Sequence, residues 1–518
     1  MIRHIFTVSS GTLASRLLGF ARDSLAAALL GAGPVADAFL LAFQLVNVIR
    51  RMLTEGALNA ALIPAWMRVR DNNGILAASA FAGAALGTIS VALIALAVIA
   101  GVVMPILLTL LAPGFAGRET LQLAVTDARL MLPYVAFAGP VTVMMGLLNA
   151  QHRFAITAFS PLLFNIALIV VIAALLLMGR DPQSAALVMA ATVGVAGLLQ
   201  LLILIIPSRS SKLASPLRVV FDPEMRTFFR KAIPGMIASS GPQLLIVAGA
   251  VIASMSPSAV SWLYFANRLI ELPLGMVGVA MGTVLVPEIT RALSNDDKPA
   301  LISAESRGLE LAAGLALPAA LGLIVLNEPI VRLLFEHGAF TAADTRATAF
   351  TLGCLALGLP AHVLIKALSP AFFARGNTMT PLLATLKGIA VAIVLAIVLG
   401  QIYGIGGIAA AMVIGAWSNA LSLARSIAAT FGFSIDADAR RRLPRIVLAA
   451  LLMGGALWLA VWTLPDATGS RAFEAILLGG LIAGGIACYG LLLLLFRVVG
   501  WHDMQAARAR ARSPGLRG

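Results

Sequence analysis

AASAFAGAALGTISVALIALAVIAGVVMPILLTLL, from Ala77 to Leu111, runs 35 residues without one Asp, Glu, Lys, Arg or His. About 20 helical residues cross the hydrocarbon core of a bilayer. The run lacks the period-two alternation of a barrel strand, so its backbone must be satisfied within a helix. Working outward, comparable apolar runs recur from one end of the chain to the other. Of its 518 residues, 60% are hydrophobic and 12% charged, against about 25% charged in soluble domains. The sequence therefore reads as an all-α integral membrane protein.

Spans are expected at 4–30, 36–67, 77–111, 125–150, 157–178, 184–206, 225–253, 258–290, 303–327, 344–372, 380–400, 405–431, 444–464 and 473–498, about fourteen transmembrane helices. The net charge of +14 follows from loop composition rather than from a nucleic-acid surface. Alternate loops carry Arg68 and Arg70; Arg153; Arg209, Lys212 and Arg218; Arg291 and Lys298; Arg375; and Arg440, Arg441, Arg442 and Arg445. The intervening loops are neutral or of mixed sign. The positive-inside rule then puts both termini in the cytoplasm. Cys354 and Cys488 sit in apolar segments as packing residues, with no metal or redox spacing. The N-terminus lacks a cleavage site before its polar positions and reads as a first helix.

A basic, Ser-rich linker from 208 to 223 divides the chain near its middle and leads into Asp222-Pro223-Glu224, an N-cap followed by Pro. Leu62-Ile63-Pro64 and Arg68 recur as Leu285-Val286-Pro287 and Arg291, each displaced by 223 positions. Such a repeat is a common construction of transporters, with the site at the repeat interface. The expected organisation is two pseudo-symmetric six-helix lobes, 1–207 and 224–433, followed by two extra helices and a basic tail, 434–518.

Arg16, Arg22, Arg50 and Arg268 fall inside expected spans. An arginine at a lipid-embedded helix centre costs about 2.5–3.5 kcal/mol on insertion scales. Ser9, Thr12, Arg16 and Asp23 share one face of the first helix. Asn47, Arg50, Arg51, Thr54, Glu55 and Asn59 crowd one region of the second, which Asp37 opens. Asn267 and Glu271 flank Arg268. Three readings are open: structural ion pairs, snorkelling to the interface, or a wet cavity for an anionic headgroup, whose phosphate suits the arginine fork. The cations outnumber the nearby acids, which favours the cavity. His362 and Lys366, one turn apart near Pro360, line that cavity or simply form a helix face. No spacing suits catalysis, a nucleotide or a metal, so an enzyme is not expected, and no cofactor or coupling ion is specified.

The opening S-S-x-T-x-x-S-R-x-x-G-F-x-R-D (Ser9–Asp23), D-A-F-x-x-A-F (Asp37–Phe43), N-x-x-R-R (Asn47–Arg51) and E-G-A (Glu55–Ala57) resemble the MurJ (MviN) lipid II flippase family. That family lies in the multidrug/oligosaccharidyl-lipid/polysaccharide exporter superfamily. Arg268–Pro287 and Ala374–Pro381 extend the resemblance over nearly the whole chain. It implies translocation of lipid II across the bacterial inner membrane by alternating access between the two lobes. The diphosphate would meet Arg16, Arg22, Arg50 and Arg268, with Arg51, Asn47, Asp37 and Glu55 in the same cavity, and the last two helices would hold the polyprenyl tail. Implied partners are lipid II, membrane lipids and cell-wall synthesis proteins, no nucleic acid, around a monomer. Alanine at any of the four arginines is predicted to leave folding intact and abolish flipping. The alternatives are an exporter of another polyprenyl-linked glycan, a cation-coupled multidrug antiporter, and a non-transporting scaffold. Two departures stand out. Val46 replaces the usual proline, which would straighten the second helix, and Asn267 replaces a frequent acid, which would make the Arg268 site more positive.

Overall fold

The computed structural model describes residues 2–498 except 55–56, 152, 210–213, 221–222, 224, 231–240, 282–284, 296, 374, 376, 432–435 and 464–469. Sixteen α-helices and a single 3₁₀ turn, Pro113–Phe115, are found among those residues, with no strand. The first six helices are α1 (Ile2–Leu30), α2 (Pro34–Thr54), α3 (Ala57–Leu111), α4 (Glu119–Ala150), α5 (Phe154–Leu177) and α6 (Pro182–Arg209). Then come α7 (Gly241–Ala253), α8 (Ala259–Ala280), α9 (Val286–Ser294), α10 (Lys298–Val325) and α11 (Asn327–Phe335). The last five are α12 (Ala342–Ala356), α13 (Leu359–Phe373), α14 (Met379–Phe431), α15 (Ala437–Thr463) and α16 (Arg471–Leu495).

Eight helices among the described residues are long and apolar enough to cross a membrane, and the bent pair α12–α13 makes a ninth. The difference from fourteen lies partly in bookkeeping along the chain. In α14 the helix continues on both sides of Gly404, whose φ of 56° breaks the helical path where two expected spans meet. In α3 the expected loop at 68–76 is helical apart from Gly74 (φ 83°). The expected second span, 36–67, is helical throughout its described residues, 36–54 and 57–67. The bend between α12 and α13 falls at Leu357 and Gly358, just ahead of Pro360. Through Val46, α2 runs unbroken, as the loss of a proline there predicts.

On α3, the large side chains Val91, Ile94, Val98, Val102 and Ile106 recur at helical spacing and are all exposed. In water such a stripe would be a liability; against lipid tails it costs nothing.

The helices cluster into two compact units. The first comprises the chain up to Phe265 plus Leu334–Thr345, and the second comprises Ala266–Leu333 plus the chain from Arg346. In the first unit, α4 packs against α2, α3 and α6, and α1 packs against α5. Trp66, Leu62, Phe81, Leu147, Leu148 and Phe228 share an apolar cluster in it. An extended strap, residues 214–220, lies along α3. Ser79 Oγ accepts from Ser215 N at 3.2 Å, and Thr88 Oγ1 accepts from Val220 N at 3.2 Å. Between these anchors Gly83 and Gly87 leave room for the strap backbone: a Cβ at either would run into the carbonyl of Pro216 or Arg218. The segment 334–345 closes over one end of α1, with Ala339 N donating to Ala28 O at 2.8 Å and Ser24 Oγ to Leu334 O.

In the second unit, α10 is the hub, packing against α9, α13, α15 and α16. Asp297 caps it, accepting from Ala300 N at 3.0 Å. Arg442 of α15 meets Glu310 of α10 at 3.6 Å, and Arg375 approaches Glu305 at 4.0 Å.

Candidate functional site

Of the four expected arginines, Arg22 is the most enclosed, only 9% exposed. Its Nε and Nη2 donate to Asp23 Oδ1 at 3.0 and 2.6 Å, and its Nη1 donates to Asn165 Oδ1 of α5 at 3.1 Å. The rings of Phe43 and Phe164 lie 4.9 and 5.8 Å from its guanidinium carbon, within cation–π range. Tyr264 Oη donates to the same Asp23 oxygen at 3.2 Å. A small cavity borders Arg22, Asp23, Phe39, Phe43 and Tyr264.

The remaining residues have separate surroundings. Arg16 is exposed on α1. Arg50, half-buried on α2, donates from Nε to Asn47 Oδ1 at 3.2 Å, so two expected residues are brought together one turn apart. Arg51 is half-buried on the same helix. Glu55 lies outside the described residues, as do the side chains of Ser9 and Thr12. Asp37 is 2% exposed and accepts from both the backbone N and the Oγ of Ser261, at 2.8 and 2.5 Å. Ser261 stands in the first turn of α8, so Asp37 satisfies an orphan N–H there and lies at the positive end of the helix dipole. In the second unit, Arg268 Nη1 donates to Glu271 Oε2 at 3.0 Å. That carboxylate offsets the charge that Asn267 leaves uncompensated. Lys366 on α13 runs alongside Gly278.

Asn165 of α5 and Tyr264 of α8, neither of them among the expected residues, complete the Arg22 site. Asn165 is one amide in an apolar span, far from Arg22 along the chain, and Tyr264 sits three residues before the expected Asn267. The available signal was the cost of placing an amide in such a span without a partner.

α15 and α16 enclose an apolar groove lined by Met453, Leu457, Phe473, Leu477, Leu481 and Gly484.

Long apolar helices with lipid-suited faces, one of them carrying a buried arginine tied to a carboxylate and an amide, define a polytopic membrane protein. A family model described as "Lipid II flippase MurJ" matches residues 26–473. The chain belongs to the MurJ lipid II flippase family. It is 37% identical over 495 residues to the probable lipid II flippase MurJ of Rhizobium meliloti, covering 94% of this chain and 92% of that one. It is 31% identical over 480 residues to the lipid II flippase MurJ of Burkholderia cenocepacia, covering 91% and 92%. Among solved structures, a lipid II flippase MurJ in an inward closed conformation superposes with a TM-score of 0.77 at 24% identity, covering 94% of this chain and 98% of that one. A multidrug resistance MATE family transporter of the MOP superfamily, in an inward-facing conformation, gives 0.67 at 15% identity over 83% and 95%. At those identities the two solved structures bear on the fold.

Proposed function

We propose that this protein translocates lipid II, the undecaprenyl-diphosphate-linked peptidoglycan precursor, from the inner to the outer leaflet of the bacterial cytoplasmic membrane. The observation that carries the reading is the match to relatives bearing that name over more than nine-tenths of the chain. The mechanism is alternating access between two six-helix lobes, 1–207 and 224–433, with both termini cytoplasmic and the protein acting as a monomer. Arg16, Arg50 and Arg268 supply cationic contacts to the diphosphate, with Arg51, Asn47 and Glu55 beside them. Arg22 joins them through what Asp23 and Asn165 leave free. Three hydrogen bonds occupy three of its five N–H donors, leaving one on each terminal nitrogen. Asp37 supports the site by fixing the start of α8. The groove between α15 and α16 is apolar along its length, which suits a polyprenyl tail. A diphosphate that binds one conformation better than the other shifts the equilibrium between them.

The test is depletion of the resident lipid II flippase in a bacterial host that carries this chain, scoring lipid II in the outer leaflet. Wild type restores it and Arg268→Ala does not. No restoration by membrane-localised wild type would sink the cargo assignment in favour of another polyprenyl-linked glycan.

A further inference from the structure

Asn165 lies in Phe154–Leu177, a helix with no charged residue, and is 6% exposed. Both ends of its amide are engaged. Oδ1 accepts from Arg22 Nη1 at 3.1 Å, while Nδ2 donates to the Ser15 carbonyl at 3.1 Å. The orientation of the amide is dictated by its partners, since a guanidinium can only donate and a carbonyl can only accept. Ser15 and Arg22 are seven residues apart on α1, almost two full turns, so Asn165 grips one face of that helix at two levels.

Asp23 holds only the Nε–Nη2 edge of Arg22, and the rings of Phe43 and Phe164 lie beside the guanidinium without bonding its Nη1 end. Left to these alone, the Nη1 end could turn about the carboxylate. Asn165 supplies the third point that fixes the plane. An arginine so held has already lost much of the rotamer entropy it would otherwise lose on binding. We propose that Asn165 is a positioning residue for Arg22, aiming the two unused N–H groups at a phosphate oxygen of the cargo. This rests on the reading of the chain as a carrier of a diphosphate-linked lipid. The role is not space filling, which leucine would perform with one fewer polar group to satisfy in an apolar span.

A double-mutant cycle on lipid II binding to the purified full-length protein in detergent tests it. Asn165→Leu is expected to weaken binding about tenfold, the scale of one hydrogen bond to a charged group, with the thermal midpoint of the protein kept. In an Arg22→Gln background, adding Asn165→Leu is expected to change affinity by less than about twofold, because the residue acts through Arg22. Independent, multiplying losses in the two backgrounds, or unchanged binding by Asn165→Leu alone, would overturn the proposal. Asn165→Ser provides the same cycle should the leucine variant fail to fold. Wild type that binds no lipid II would instead overturn the cargo assignment and this proposal with it, and the wild-type control separates that result from the others.

Discussion

Arg22 and Arg268 are each paired with a carboxylate, but in different solvents. The Arg22 and Asp23 side chains are 11% and 3% exposed, those of Arg268 and Glu271 20% and 25%. Removing one partner of a buried pair typically costs about 3–5 kcal/mol, and a half-buried pair, whose charges keep contact with water, costs less. Asp23→Ala is therefore expected to lower the thermal midpoint of the purified protein far more than Glu271→Ala. Equal shifts in the two variants would mean that the Arg22 pair is hydrated. The same argument revises the expectation that alanine at any of the four arginines leaves folding intact. Arg22→Ala removes the guanidinium that neutralises Asp23, so its loss of function must be judged at matched protein levels. The identity of the arginines was legible from their cost in an apolar helix. The amide and the phenyl rings that hold Arg22 were not, because Asn165 and Phe164 adjoin it only after α1 and α5 have packed.

Helix existence was written plainly in the apolar runs, and helix ends less so. The GQIYGIGG stretch marked a turn, and the chain does turn at Gly404. Gly74 follows Arg68, Arg70, Asp71 and two asparagines, a stretch whose charge and polarity predict a loop, yet it interrupts an otherwise continuous helix. The strap on α3 left no periodic signal at all: an extended backbone seated on Ser79, Gly83, Gly87 and Thr88 is specified by what the helix lacks. Gly87→Val is expected to unseat it, since the added Cβ would meet the Arg218 carbonyl. Limited proteolysis reads this directly, with new cleavage between Ala214 and Val220 in the variant. Protection equal to wild type would show that the strap can shift without detaching.

For the molecule as a whole, the groove between α15 and α16 offers the cleanest separation of folding from transport. Cβ atoms built at Gly480 and Gly484 would meet nothing within contact distance. Gly484→Phe therefore starts its side chain into open groove space and improves helix propensity by several tenths of a kcal/mol. The variant should accumulate in the membrane like wild type and fail to restore growth after flippase depletion. Normal growth would place the lipid tail elsewhere.

The first unit borrows residues 334–345 from beyond a long stretch of the second. During synthesis the carbonyl of Ala28 is in place more than 300 residues before the amide of Ala339 that will donate to it. At about 5–20 residues per second, that is a wait on the order of 15–60 s. Trp262, too, must wait for Asp344. The nascent N-terminal helices thus sit in the bilayer with one end unfinished while the ribosome is still at work, and that end is where an insertase or membrane chaperone would have to stand guard.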